Sequence, residues 1–261
     1  MLDQIKIAAP DIVASMASLE PILIEAGKIA LSARKSLKMD FKPDGSIVTN
    51  GDKQVEKYLR DALPPLAPGA SFWGEEGIFE SPVNEGYWLV DPIDGTSNFA
   101  YGSQLWGISI AFYHSKELRF GGVYLPDLNE NFVAGQGKGA YLNGKQLPTL
   151  EPGEIANHEL VATTETTLRK LPIDRFPGKP RLSGAFVING TYVATGRYRA
   201  VLAAREKLYD VAACVVIARE VGADVRYLDG EPFDESVHVF DQSVARLWGI
   251  LPPDCNVKLE I

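Results

Sequence analysis

Cysteine and histidine are scarce in this chain. Cys214 and Cys255 are the only two cysteines in 261 residues, which makes no disulfide framework, and a reducing cytosol is the default expectation. Three histidines leave little scope for zinc sites of the His-rich kind. No apolar run reaches the roughly 18 residues of a transmembrane helix. The opening MLDQIKIAAPDIV lacks the charged start, long apolar core and cleavage site of a signal peptide. A positive charge excess is missing as well. The net charge of −8 argues against general binding of a nucleic-acid polymer, which needs a basic face. An anionic small molecule stays open, provided that local lysines, arginines or a metal offset its charge. There are no tandem repeats and no low-complexity segments. What is present, 46% apolar and 23% charged residues, suits a soluble globular chain of one or two domains at roughly 150 residues each.

Apolar residues at Ile12, Met16, Leu19, Leu23, Ala26 and Ala30 follow helical spacing. Pro21 is expected to kink or split that helix, with a second part running to about Lys38. Lys42 to Ser46, KPDGS, reads as a turn or flexible loop. Thr49 to Asp52 opens another helix with Val55, Leu59 and Leu63 on one face, and LPPLAPG ends it. ASFWGEEG and GYWLVD read as strands. A meander follows through LWGISIAFYH, LRFGGVYL, NFVAG and GAYL, with an Asn143-Gly144 hairpin turn. HELVATTE and YRAVLAA read as strands, SGAFVINGTYVATG as a helix, and YDVAACVVIAREVG as a helix stopped by Gly222. ADVRYL is a further strand. The class is mixed α and β. A composition change near Gly153 to Asn157 divides the chain into 1–155 and 156–261.

Four acidic stretches invite a functional reading, and each has a plain structural one. Asp91-Pro92-Ile93-Asp94-Gly95-Thr96 places two carboxylates on a tight turn after a buried strand. Buried carboxylates are costly unless their charge is offset. Thr96 or Ser97 is expected to cap a short following helix, and the competing reading is an ordinary capped turn. A calcium-binding EF-hand loop does not fit, because its ligand spacing differs. Gly74-Glu75-Glu76-Gly77 puts two adjacent acids on opposite faces of a strand, or simply in a solvated loop. Asp210, at the start of an apolar helix, and Asp52, in Val48-Thr49-Asn50-Gly51-Asp52, both suit ordinary helix N-termini. GAYLNGK approaches a phosphate-loop pattern but continues with Gln146, so that reading is set aside.

In order along the chain these stretches resemble the inositol monophosphatase family. Asp-Pro-Ile-Asp-Gly-Thr-Ser-Asn-Phe (91–99) is similar to its signature, and Tyr209-Asp210-Val211-Ala212-Ala213 to its second, with Tyr209 where Trp is usual. Lys138-Gly139-Ala140-Tyr141 and Asn143-Gly144 match its central hairpin. The resemblance implies a layered α/β/α/β/α sandwich of the sugar phosphatase type. The implied activity is that of a lithium-sensitive, Mg²⁺-dependent phosphomonoesterase with two or three ions per site. The first unit would carry most metal ligands and the second would complete the site. The resemblance further implies that Glu75, Asp91 and the Ile93 carbonyl bind one ion, and that Asp91, Asp94 and Asp210 bind a second. Thr96, with Asp52 behind it and Glu75 beside the ions, would serve the attacking water. Gly95, Thr96 and Ser97 would cradle phosphate, and Gly184, Ala185 and Asp210 would contact the substrate. A homodimer in the cytosol is implied, acting on a small phosphorylated metabolite, with no nucleic-acid polymer and no membrane as partner.

Two departures bear on substrate. Inositol-selective members carry a glutamate where Ala203 stands here. Arg197, Arg199 and Arg205 lie nearby and suit either a second anionic group or a solvated surface. The alternatives on the same scaffold are histidinol-phosphate, fructose-1,6-bisphosphate and adenosine-bisphosphate hydrolysis, or a metal-binding relative without turnover. The tail SVARLWGILPPDCNVKLEI has strand-like runs and Pro252-Pro253 where relatives finish with helices.

Overall fold

The computed structural model describes residues 9–77, 86–171, 173–238 and 244–257. The first eight residues, read above for a signal peptide, and the tail residues 258–261 lie outside that description.

Asp11 caps helix α1 (Ile12–Arg34) by accepting from Val13 and Ala14 N–H. The helix runs unbroken through Pro21 and stops at Arg34, so the expected split, and an extension to Lys38, do not occur. An interior proline costs about 3 kcal/mol. Ser15, Met16 and Leu19 are buried before it and Leu23, Ala26, Gly27, Ala30 and Ala33 after it. Burial on both sides keeps one axis against the sheet and offsets that cost. A short hairpin follows, β1 (Met39–Phe41) and β2 (Ile47–Thr49), and its loop is KPDGS. Thr49 then caps α2 (Asn50–Ala62), with Asp52 returning the bond to the Thr49 N–H.

The first sheet has seven strands in sequence order: β3 (Ser71–Gly74), β4 (Gly86–Asp94), β5 (Gly107–His114), β6 (Glu117–Leu125), β7 (Glu130–Gly135), β8 (Gly139–Leu142) and β9 (Lys145–Gln146). Only β3 and β4 pair in parallel; the remaining neighbours are antiparallel. Asn143 and Gly144, at φ 48° and 75°, form the expected tight turn between β8 and β9. The five-residue α3 (Thr96–Ala100) follows β4.

The second sheet contains β10 (Leu160–Thr163), β11 (Lys179–Arg181), β12 (Ala200–Ala203), β13 (Asp224–Tyr227) and β14 (Trp248–Leu251), in the order β11-β10-β12-β14-β13. The tail is therefore structural. Its strand β14 lies between β12 and β13, antiparallel to both. Helix α4 (Glu165–Lys170) sits at one side of this sheet.

Two apolar helices, α5 (Phe186–Ala194) and α6 (Leu208–Glu220), lie between the sheets. A Cβ at Gly190 would come within 2.4 Å of Cys214 Cβ, so glycine lets these helices cross closely. Helices α1 and α2 cover the outer face of the seven-stranded sheet. A third apolar cluster, with Val161, Leu171 and Leu251, closes the far side of the second sheet. The layering is α/β/α/β/α, as the resemblance implied. Among the described residues, no helix is long and apolar enough to cross a membrane.

Candidate active site

Strand alternation aims the first carboxylate. Along β4, Trp88 and Val90 face the outer helices, while Tyr87 and Leu89 face α5 and α6. Asp91 is thus on the inner face, 3% exposed, opposite Ser109. The hydroxyl of Ser109 donates to the Tyr209 carbonyl at 3.4 Å, which ties β5 to the first turn of α6, where Asp210 stands. The Asp91-to-Asp94 stretch remains part of the strand, with a register shift between the two aspartates. Asp91 Oδ1 accepts from the Ile93 N–H at 3.0 Å.

Gly95 makes the turn out of the strand. Its φ of 83° lies in the left-handed region, and it is the N-cap of α3 without any side-chain cap bond. The expected capping by Thr96 or Ser97 does not occur. The Thr96 hydroxyl points back instead, 3.0 Å from the Ile93 carbonyl and 3.3 Å from Asp52 Oδ1. The first bond of α3 runs from Phe99 N–H to Gly95 C=O, so the N–H groups of Thr96 and Ser97 precede its ladder. Asp52 Oδ2 accepts from the backbone and hydroxyl of Thr49 at 2.8 and 2.5 Å. Asp52 is therefore a helix-start residue and also faces Thr96. Burial raises its pKa.

Other parts of the chain meet this turn. A Cβ on Gly95 would lie 2.8 Å from Ala185 Cβ and 3.1 Å from the Leu105 carbonyl. Asn98 clamps the same place, its amide donating to the carbonyls of Leu105 and Ser183. Gly184 and Ala185, from the second half of the chain, are thus beside Gly95. Asp94 Oδ2 accepts from the Val187 N–H at 2.5 Å, and the N–H groups of Phe186 and Gly95 also favour its carboxylate. Asp210 sits in the first turn of α6 and accepts from the Lys207 N–H at 2.8 Å.

Glu75 follows the end of β3, its N–H bonded to the Val90 carbonyl. Its side chain, and that of Glu76, accept from Lys42 Nζ at 2.9 and 2.6 Å. The sequence reads Lys42 as the start of a turn or flexible loop, and it stands in the turn between β1 and β2. Burial works against its charge, but the two glutamates raise its pKa. Burial pushes Glu76 up to about 7. The Glu76 N–H donates to Glu56 Oε2 at 2.8 Å, and Glu56 pairs with Arg60.

Electrostatics define the group further. Burial first, then the charge of Glu75, raises Asp91 and Asp210 well above the ordinary carboxylate range. Asp94 adds to both. Burial likewise pushes Asp94 up to about 7. Carboxylates that raise one another in this way form an anion cluster short of a compensating cation. Every donor is a hard oxygen, as Mg²⁺ requires and thiol- or imidazole-seeking ions do not. Among the described residues, no three acids close into a ready-made metal cage. Glu75 is engaged by Lys42 and Asp94 by backbone N–H groups.

The profile of the inositol monophosphatase family matches residues 13–245. The chain belongs to this family. It is 34% identical over 221 residues to the inositol-1-monophosphatase of Bacillus subtilis, covering 80% of this chain and 83% of the relative. Over 199 residues it is 32% identical to a fructose-1,6-bisphosphatase/inositol-1-monophosphatase of Thermotoga maritima, 74% and 75% of the two chains. In fold it is similar to an IMPase/NADP phosphatase solved with Mg²⁺ and phosphate, at a TM-score of 0.76 and 22% identity, over 88% of this chain and 87% of that one.

Two of the three arginines raised for substrate binding have other tasks. Arg197 makes a paired contact with Glu130 and lies over the Tyr192 ring. Arg199 donates to the carbonyls of Glu151 and Gly153. Arg205 is exposed, at φ 74°. Ala203 is fully buried on β12, opposite Trp248.

Proposed function

We propose that this protein is a Mg²⁺-dependent phosphomonoesterase acting on a small sugar or cyclitol phosphate. The observation that carries the reading is the meeting of Asp91 and Asp94, at the end of β4, with Asp210, in the first turn of α6, in one group whose charges raise one another. Glu75, Asp91, Asp94, Asp210 and the Ile93 carbonyl are the oxygens that would hold the ions. Bound divalent ions supply charge compensation and Lewis acidity toward a phosphate ester and water.

The chain's own groups have separate tasks. Thr96 donates to Asp52 and leaves its oxygen lone pairs to orient a water. Asp52, buried and raised, is placed to receive the proton that Thr96 relays. The N–H groups at Gly95, Thr96 and Ser97 provide donors for phosphoryl oxygens. Gly184, Ala185 and Asp210 line the leaving-group side.

An alanine sealed at position 203 makes no bond to a ring hydroxyl, so the reading is not confined to inositol phosphates. The Thermotoga relative's name covers a bisphosphate as well, and Arg205 is the arginine left to meet a second anionic group. Intact Asp52, Glu75 and Thr96 argue against a relative without turnover. Lithium sensitivity, a homodimer and a cytosolic setting belong to the same reading.

Phosphate release from cyclitol, sugar, bisphosphate and histidinol phosphates with Mg²⁺ tests the reading and ranks substrates. Asp94→Asn keeps an acceptor for Val187 and should retain the fold while losing most turnover. Full activity in that variant at ordinary Mg²⁺ refutes the assignment, and no release from any substrate refutes the phosphatase reading.

A further inference from the structure

Arg34 and Asp127 have no task in the scheme above, yet they are tied to each other and to the site. Arg34 ends α1, and Asp127 stands in the turn between β6 and β7. The guanidinium donates two parallel bonds to the carboxylate, Nη1 to Oδ2 and Nη2 to Oδ1, both at 2.7 Å. The Trp106 indole N–H donates to Oδ2 at 2.6 Å. Three bonds to a charged acceptor fix both its place and its direction. The Arg34 bonds, with the indole adding to them, hold the Asp127 carboxyl below the ordinary range.

This group reaches the site through two rings. Phe99 and Trp106 are fully buried and meet edge to face, centroids 4.7 Å apart. The Arg34 guanidinium lies 5.5 Å from the centre of each ring. Phe99 belongs to α3, three residues after Thr96. On another side its ring meets α2: a Cβ on Gly51 would lie 3.1 Å from Phe99 Cε1 and Cζ and 3.0 Å from Ile93 Cδ1. Gly51 directly precedes Asp52. Phe99 therefore sets the spacing between the two elements that carry Thr96 and Asp52.

That spacing has little slack. Thr96 reaches Asp52 at 3.3 Å, already beyond the roughly 2.5–3.0 Å usual for an O–H···O bond. A small further displacement of α3 breaks the contact. A half-buried ion pair contributes little net stability, and apolar side chains would cover the two rings without the cost of desolvating charge. What a bidentate arginine adds is a fixed orientation. We propose that Arg34 and Asp127 are positioning residues for phosphate-ester hydrolysis: through Trp106 and Phe99 they hold α3 at the distance from α2 at which Thr96 relays a proton to Asp52. This role rests on the phosphatase reading and adds to it a brace on the outer face of the seven-stranded sheet.

Asn98 ties the start of α3 to Leu105 and Ser183 independently, so the phosphate-facing N–H groups stay in place and the loss should fall on kcat. The test measures kcat and KM with Mg²⁺, on the best ester of the panel above, for the parent, Asp127→Asn and Glu130→Gln, each shown by tryptophan fluorescence to be folded. Glu130 is the matched control. Arg197 also makes two bonds to it, at 2.7 and 2.5 Å, but lies over the Tyr192 ring rather than against α3. Asp127→Asn should lower kcat about fivefold or more with KM within about threefold of the parent, and Glu130→Gln should keep kcat within about twofold. A smaller loss in Asp127→Asn, a loss confined to KM, or an equal loss in Glu130→Gln overturns the inference. Arg34→Lys keeps the charge without the fork. It should lower kcat about threefold or more, and on that threshold it decides the matter if Asp127→Asn does not fold. A parent protein inactive on every ester rejects the phosphatase reading itself, and that result is in hand before any variant is made.

Discussion

Replacing Gly95 by alanine perturbs the turn that joins the two halves of the site. At φ 83° an L-residue pays about 1–2 kcal/mol for left-handed backbone. The added Cβ would also lie 2.8 Å from Ala185 Cβ, 3.1 Å from the Leu105 carbonyl and 3.4 Å from the Gly184 carbonyl. Asn98 fixes both sides of that gap through Leu105 and Ser183, so it cannot widen freely. Overpacking of this kind adds about 1–3 kcal/mol, for a sum of about 2–5 kcal/mol. Gly102 is the internal control. Its φ is 79°, yet a Cβ there meets nothing within 4 Å, so Gly102→Ala should lose only the backbone part, about 1–2 kcal/mol. Urea unfolding followed by tryptophan fluorescence measures both. Phosphate release should drop sharply in Gly95→Ala and persist in Gly102→Ala. If the two variants are destabilised equally, the packing argument at Gly95 is wrong.

The raised carboxylates make stability depend on pH in a definite direction. Asp94, at about 7 in the fold against 3.8 for an ordinary aspartate, binds more protons folded than unfolded between those values. Its contribution therefore favours the fold at low pH and is lost as pH rises toward 7; Asp91 and Asp210 act the same way. Chelator-treated protein should melt lower at pH 7 than at pH 5, and millimolar Mg²⁺ should restore the loss at pH 7; a melting point indifferent to Mg²⁺ would contradict the ion assignment. Glu75→Gln should reduce turnover far more than Glu76→Gln, because Lys42 pairs with both acids but it is the Glu75 charge that raises Asp91, Asp94 and Asp210. Equal losses in kcat would show that the wrong acid was chosen.

Local pattern in the sequence was enough for most elements. Alternation and turn residues placed the meander, the Asn143-Gly144 turn and the Gly222 stop, because these depend on neighbours in the chain. Composition and charge left an anionic small molecule as a possible ligand only with added cations. Each acid alone suited a turn, a loop or a helix start; it was the resemblance to the family's motifs that implied Asp91, Asp94, Asp210, Glu75 and Asp52 as a group. The continuity of α1 through Pro21 was not legible, since it depends on burial of both flanks against the sheet. Nor was the place of the tail, because β14 gains its partners from strands that start 24 and more residues earlier, at Asp224 and Ala200.

The site divides in the same way. Residue identity determined that the donors are hard oxygens and that glycine at 95 permits the turn. Only the tertiary structure decided which partners compete for them. It brought Lys42 from a loop onto Glu75, turned Thr96 back to Asp52, and set the N–H groups of α5 against Asp94. It also engaged Arg197 and Arg199 elsewhere, and joined Arg34 to Asp127 behind Phe99. The physical reason is that charge and hydrogen-bond terms depend on distance and burial through space, and a sequence specifies those only after the layers have packed.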